Sequence, residues 1–167
     1  MAKPREQLTE QTPIKFNGGL ITQQGNSIRL TQERQARNLK LILAKPIDLT
    51  SSYRETYKAV NIKDQYVAQR ARGAYIATVY QPKSSFDLSI AAQVTDIQET
   101  DAKQLNKRIQ WQIDNLIRGL TFVPLDMDSL SLLVFTDASF ANNKDLSSQI
   151  GFVIVLMDRN QSANILH

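Results

Sequence analysis

The chain opens on an alternation. In the stretch 13–31, PIKFNGGLITQQGNSIRLT, Ile14 and Phe16 alternate with Lys15 and Asn17, the period-2 pattern of a half-buried strand. Gly25 and Asn26, between Gln23 and Ser27, supply turn chemistry, and Ile28 and Leu30 open a return strand, so the stretch predicts a β-hairpin. Gly18 and Gly19 fall inside the first strand, where glycine marks a bulge or a close backbone approach. Thr31 can then cap a helix over 32–43, with Leu39, Ile42 and Leu43 on one face, that ends at Lys45-Pro46.

Residues 46–63 read as a polar loop. A second helix fits 64–80, where Val67, Ala71, Ala74, Tyr75 and Thr78 recur at spacings of three and four. Gln81-Pro82-Lys83 breaks it, and Ser84 or Ser85 caps a short helix through Gln93. A third long helix fits 101–118, with Leu105, Ile109, Ile113 and Leu116 as its apolar stripe, Asp101 as cap and Gly119 as the residue past its end. Lys103, Lys107 and Arg108 lie off that stripe and form a basic face, which is either a solvated surface or a phosphate contact.

The period changes from 120 onward. Leu120, Phe122 and Val123 are short and extended, Leu130–Phe135 and Ile150–Leu156 read as buried-type strands, and Asp158–Ser162 as a turn before a third strand at Ala163–Leu166. A boundary is expected near 120–130. Two strands and the start of a third do not close a sheet. The chain therefore reads as a piece of something longer, with Ile150–Leu156 as an apolar edge open to aggregation.

Composition narrows the chemistry. The 167 residues are 42% hydrophobic and 22% charged, a globular balance. No apolar run approaches the roughly 18 residues of a membrane span, and MAKPREQLTEQ has no signal-peptide core, so an intracellular chain, cytoplasmic or nuclear, is expected. There is no cysteine, and His167 is the sole histidine. The absence of cysteine excludes disulfides, zinc-thiolate sites and a thiol nucleophile; with one histidine, at the last position, neither a Ser-His-Asp triad nor a multi-histidine metal site is expected, and any metal falls to carboxylates, which suit Mg²⁺. A net charge of +4 is compatible with a polyanionic partner.

Asp137 stands at the end of the apolar run in LLVFTDASFANNKD. Two roles are open to it from the local pattern. It is a turn residue bonding the backbone at Ser139 or Phe140, or a carboxylate holding Mg²⁺ beside a phosphate. Asp145 and Asp158, the nearest other acids, sit in expected loops and read as turn chemistry.

Three segments carry a family resemblance. VFTDASFANNKDLSSQIGFVIVL resembles the opening hairpin of a ribonuclease H domain of Ty1/copia-type retroelements: a strand ending in Asp-Ala, a polar loop, a Ser-rich stretch and a Gly-aromatic second strand. FNGGLITQQGNSIRLTQERQARNLKLI is similar to the hairpin and helix that follow the palm of copia-type reverse transcriptases, and RARGAYIATVYQPKSSFDLSIAAQ to the helix, Pro-Asp segment and short helix beyond. The wording is closest to polyproteins of filamentous fungi. The chain departs from the pattern at Asn17-Gly18, where Leu-Gly is usual, and at Gln81-Pro82-Lys83 with Phe86-Asp87, where Arg-Pro-Asp is usual.

The resemblance implies an α+β chain. Residues 1–31 would be the end of the palm with a primer-grip-like hairpin, 32–123 a helical thumb/connection-like region, and 124–167 the start of a truncated ribonuclease H-like β-meander. It implies a parent that copies RNA into DNA and hydrolyses RNA–DNA hybrids with Mg²⁺, with this chain inactive alone. The palm aspartate pair is absent, and Asp137 would be the one catalytic and metal-binding residue present. Gly18 and Gly19 would approach the primer; Lys103, Lys107 and Arg108 would track the phosphates of a template-primer duplex or RNA–DNA hybrid. Trp111 and Tyr75 would pack or stack. The remaining partner would be the rest of the polyprotein, with no membrane role. The alternatives are a non-catalytic nucleic-acid-binding or interaction module, and a decayed reading frame.

Overall fold

The computed structural model describes residues 5–43, 61–140 and 148–166. It is a mixed α+β chain with two antiparallel sheets. The first sheet holds β1 (Ile14–Phe16), β2 (Gly19–Gln24), β3 (Ser27–Thr31) and β4 (Leu120–Phe122), in that spatial order. The second holds β5 (Ser131–Ser139), β6 (Gln149–Met157) and β7 (Ala163–Ile165), with β6 in the centre. Between β3 and β4 run α1 (Glu33–Ala36), α2 (Ile62–Val79), α3 (Ser85–Ala92) and α4 (Glu99–Asp114).

The expected hairpin is present but has two tight turns. Asn17 and Gly18 take φ of +47° and +76° and join β1 to β2, with Phe16 opposite Gly19. Asn-Gly at two consecutive positive-φ positions is the sequence preference of a type I′ hairpin loop. Gly18 is therefore a turn residue and not a bulge. The second turn, at Gly25-Asn26, falls where the sequence places it, with Gln24 opposite Ser27.

The helix expected over 32–43 is confined to Glu33–Ala36. Thr31 ends β3, Gln32 takes the N-cap position, and no side chain caps it. Residues 39–43 are non-helical because side-chain amides take over their backbone. Lys40 N–H donates to Gln69 Oε1 at 2.9 Å. Ile42 donates to Asn106 Oδ1 and accepts from Asn106 Nδ2, both at 2.8 Å. Leu43 forms the same paired contact with Gln65, at 3.0 and 3.3 Å. These bonds satisfy the strap as a strand ladder would. Leu39 and Ile42 are buried beneath it, while Leu43 is exposed.

Helix α2 follows its expected span, but its buried face is different. Tyr66, Gln69, Gly73, Ile76 and Ala77 face inward, whereas Val67 and Tyr75 are exposed. Gly73 lies against α4, where a Cβ would meet Gln112 Oε1 at 2.7 Å. Gln112 is fully buried and its Nε2 donates to the Gly73 carbonyl at 3.1 Å. The inner face therefore includes polar and small residues that an apolar count passes over.

In α4 the expected stripe holds: Leu105 and Ile109 are buried, with Ile113 and Leu116 packed partly against the same core. The helix is shifted toward the N-terminus. Asp101 is the third helical residue, accepting from the Gln98 N–H at 3.0 Å, as in a capping box. It ends at Asp114 because side chains satisfy its last carbonyls: Asn115 Nδ2 bonds the Trp111 carbonyl at 2.7 Å and Gln81 Nε2 the Asn115 carbonyl at 2.9 Å. Gly119 is not a left-handed cap. A Cβ there would strike the Leu30 carbonyl, so it allows β4 to approach β3.

The second sheet is apolar on both faces. The register places Leu132, Val134, Ile150 and Phe152 on one side and Phe135, Val153 and Ile165 on the other. Phe135 is 59%, Ile150 71% and Phe152 50% exposed. β6 is paired with β5 along its length, but β7 covers it only at Val155–Met157, with Leu166 N–H donating to the Ile154 carbonyl. Among the described residues Ile150–Val153 therefore stays open on that side, part of the edge the sequence predicts, and the outer side of β5 is open as well. At the Asp158–Ser162 turn the Asp158 carboxylate accepts from the N–H groups of Asp126, Asn160 and Ser162 at 2.9–3.0 Å, the turn role that the sequence gives it. Asp145 lies outside the described residues.

Candidate nucleic-acid interface

The apolar stripe of α4 fixes what the rest of that helix presents. With Leu105 and Ile109 turned inward, the 100° step places Gln104, Lys107, Arg108 and Trp111 on one outer arc. Trp111, the sole tryptophan of the chain, is the centre of the arrangement. Arg108 Cζ lies 5.2 Å, Arg118 Cζ 5.5 Å and Lys83 Nζ 5.7 Å from its ring centroid. All are within the roughly 6 Å over which an aromatic face attracts a cation.

Each cation arrives by a different route. Arg108 belongs to α4. Lys83 sits in the 3₁₀ turn Pro82–Ser84 that the Gln81-Pro82 break creates. Arg118 follows the turn that closes α4. Of the three basic residues the sequence singles out, Arg108 is ion-paired with Asp87 of α3 and its side chain is 22% exposed. Lys103 pairs with Glu99 at 2.8 Å, one helical turn back. That pair is exposed at both ends and contributes little. Lys107 lies on the cationic arc.

A cavity of about 650 Å³ opens beside this face, between α3 and α4. Ile90, Val94, Leu105 and Trp111 line its apolar part; Gln93, Gln104, Lys107 and Arg108 line its polar part together with two carboxylates, Asp87 and Asp101. Tyr66 closes the floor, its hydroxyl donating to the Ala91 carbonyl at 3.0 Å. Burial, with the Asp101 charge adding to it and Arg70 opposing, pushes the Tyr66 phenol above its ordinary pKa. The Arg108 Nε is buried without an acceptor among the described residues.

The other sequence candidates lie elsewhere. Gly18 and Gly19 sit at the β1–β2 turn. The close approach expected of Gly19 exists, but the neighbour is internal: a Cβ there would strike the Tyr80 hydroxyl. Tyr75 is tied to the same turn, its hydroxyl donating to the Asn17 carbonyl at 2.8 Å.

Asp137 is neither a turn residue nor a strand terminus. It lies inside β5, exposed, opposite Gly151. Its same-face neighbours by register are Phe135, Ser139, Gln149 and Val153. None is a carboxylate. Among the described residues no group of three His, Cys, Asp or Glu side chains converges to hold a metal ion. Among the described residues the surroundings of Asp137 thus supply one carboxylate, where Mg²⁺ phosphodiester chemistry uses several.

Lys83 and Arg118 are the functional candidates that sequence spacing passes over. Arg118 stands seven residues after Trp111, two turns along, a signal that the pattern contains. Lys83 reaches the ring only through tertiary packing. Among the described residues no helix is long and apolar enough to cross a membrane. Comparisons with protein-family models, with curated proteins and with solved structures find no match.

Proposed function

We propose that the chain is a nucleic-acid-binding module that holds a phosphate backbone against the outer face of α4. The observation that carries this is the cluster of Lys83, Arg108 and Arg118 around Trp111, with Lys107 on the same arc. Cations neutralise phosphates and release counterions, and an aromatic among them offers a surface to a base or sugar. Within the cluster Asp87 ion-pairs with Arg108.

The Ty1/copia resemblance also gives this region a phosphate-contacting role, that of a thumb or connection; contacts of this kind are common to single strands, duplexes and hybrids. In that reading the chain is the part of a reverse transcriptase/ribonuclease H polyprotein that binds rather than cuts. Asp137 and Mg²⁺ belong to the intact parent's hydrolytic site.

The test is fluorescence anisotropy with a labelled oligonucleotide across a salt series. Affinity falls linearly on a log–log plot as salt rises. Lys107→Ala with Arg118→Ala reduces that slope by about 1 for each phosphate no longer neutralised. A slope of zero, or unchanged affinity in the double variant, overturns the proposal.

A further inference from the structure

We propose that the cavity beside Trp111 takes a single unpaired nucleobase, so that the chain prefers single-stranded over duplex nucleic acid; this rests on the nucleic-acid reading above. A surface that held phosphates alone would need no concavity. The cavity, at about 650 Å³, is of the size that accepts small organic ligands, about 300–1,000 Å³. One wall is the half-buried ring of Trp111, and Ile90, Val94 and Leu105 supply apolar contact beyond it. Aromatic and aliphatic walls suit the flat face of a base.

The polar groups suit its edge. Gln93 and Gln104 are exposed side-chain amides on the lining, which also carries the carboxylates of Asp87 and Asp101 as acceptors for a base's amino group. An amide both donates and accepts, which is the pattern a Watson–Crick edge presents. The Arg108 charge is met by Asp87, but its Nε–H is a buried donor without an acceptor among the described residues. Such a group is costly unless something pairs with it, and a ring nitrogen or exocyclic oxygen of a base is an acceptor of the right kind. Lys107, on the same lining, is positioned for the phosphate of that nucleotide.

A base inside a duplex is stacked and paired and cannot enter without being flipped out, at a cost in free energy. An unpaired base enters without it. The cavity therefore adds a base-dependent increment to the phosphate affinity, on the order of tenfold for one stacked base.

The sole tryptophan makes the test direct. The full chain is titrated with single-stranded oligothymidylate, an abasic strand of equal length and a duplex of equal length, following Trp111 fluorescence and anisotropy. The expected result is about tenfold tighter binding of oligothymidylate than of the abasic strand or the duplex, with quenching of Trp111 by oligothymidylate alone. Gln104→Phe, an exposed helical position, fills the cavity and removes no cation. It abolishes the increment and leaves abasic affinity unchanged; Gln93→Phe, on the other side, does the same. Equal affinity for abasic and base-bearing strands, with salt dependence intact, overturns the base site and leaves the phosphate reading standing. Failure of all three ligands to bind overturns both.

Discussion

The side-chain amide of Asn164 completes the backbone of Val123. Val123 N–H donates to Asn164 Oδ1 and Asn164 Nδ2 donates to the Val123 carbonyl, both at 2.8 Å. Asn164 is buried on β7 and Val123 follows β4, so a side chain bridges the two sheets where no backbone ladder joins their described strands.

Removing that bridge uncouples the sheets. Asn164→Ala leaves a donor and an acceptor of Val123 without partners in a part-buried seam, and is expected to cost about 1–3 kcal/mol in urea unfolding. Asn164→Asp keeps the acceptor for the N–H but sets a carboxylate against the Val123 carbonyl. Its loss should be at least as large at neutral pH and smaller once the carboxyl is protonated. Wild-type stability in both variants would mean the seam is held by something else.

The strap at 39–43 obeys the same logic. Asn106 forms two 2.8 Å bonds to Ile42, so Asn106→Ala is expected to release the strap from α4 at a cost of about 1–3 kcal/mol. Hydrogen exchange reads this locally: the Ile42 amide loses protection, while amides in the middle of α4 keep theirs. Uniform loss across both would point to global unfolding instead.

These amide contacts mark the limit of what the sequence discloses. The stripe of α4 and the strands after 120 were legible because their apolar period is regular. The helix expected over 32–43 was not confined correctly because Gln65, Gln69 and Asn106, far along the chain, capture its backbone. The inner face of α2 was obscured by Gln69 and Gly73, whose burial depends on Lys40 and Gln112. Asn17-Gly18 was legible as a turn signal and is one; the expectation of a strand bulge set that signal aside. In the candidate site, Lys107 and Arg108 were visible as a basic face. Lys83 became a neighbour of Trp111 only through the packing of the 3₁₀ turn against α4.

Acid should loosen the junction around Asp158. The Asp126 N–H foremost, then those of Ser162 and Asn160 and the nearby Arg159 charge, hold the Asp158 carboxyl below its ordinary pKa, with burial opposing. The folded state favours the ionised form. The contribution to stability is therefore present above the ordinary carboxylate range and lost as pH falls through the depressed folded value. Asp158→Asn is expected to flatten the acid limb of a stability–pH profile. An acid limb of unchanged shape in that variant would assign it to other carboxylates.

Asp137 has one carboxylate to offer Mg²⁺ and, among the described residues, no acidic neighbour on its face of β5. Addition of Mg²⁺ to the chain with an RNA–DNA hybrid is expected to give no cleavage, and Asp137→Asn to leave hybrid affinity unchanged, as measured on denaturing gels and by anisotropy. Mg²⁺-dependent cleavage lost in Asp137→Asn would overturn this and bring further ligands to that carboxylate.

The outer edge of β5 is the longest continuous open edge of the second sheet among the described residues, and it invites self-association. Its nine residues, SLLVFTDAS, contain no proline and no lysine, the usual devices that blunt an edge. Paired antiparallel with a second copy about Phe135, Leu133 would face Asp137 and Ser131 would face Ser139. The one charge would never meet itself. Apolar side chains on both faces of the sheet add to the tendency, as an exposed patch does. The expected outcome is a sedimentation coefficient that rises with protein concentration. Val134→Lys places a charge at mid-strand and Thr136→Pro removes an N–H, and each should return the chain to a concentration-independent monomer. If both variants associate as the wild type does, the contact lies on a sheet face or at the Ile150–Val153 edge of β6 rather than at this edge.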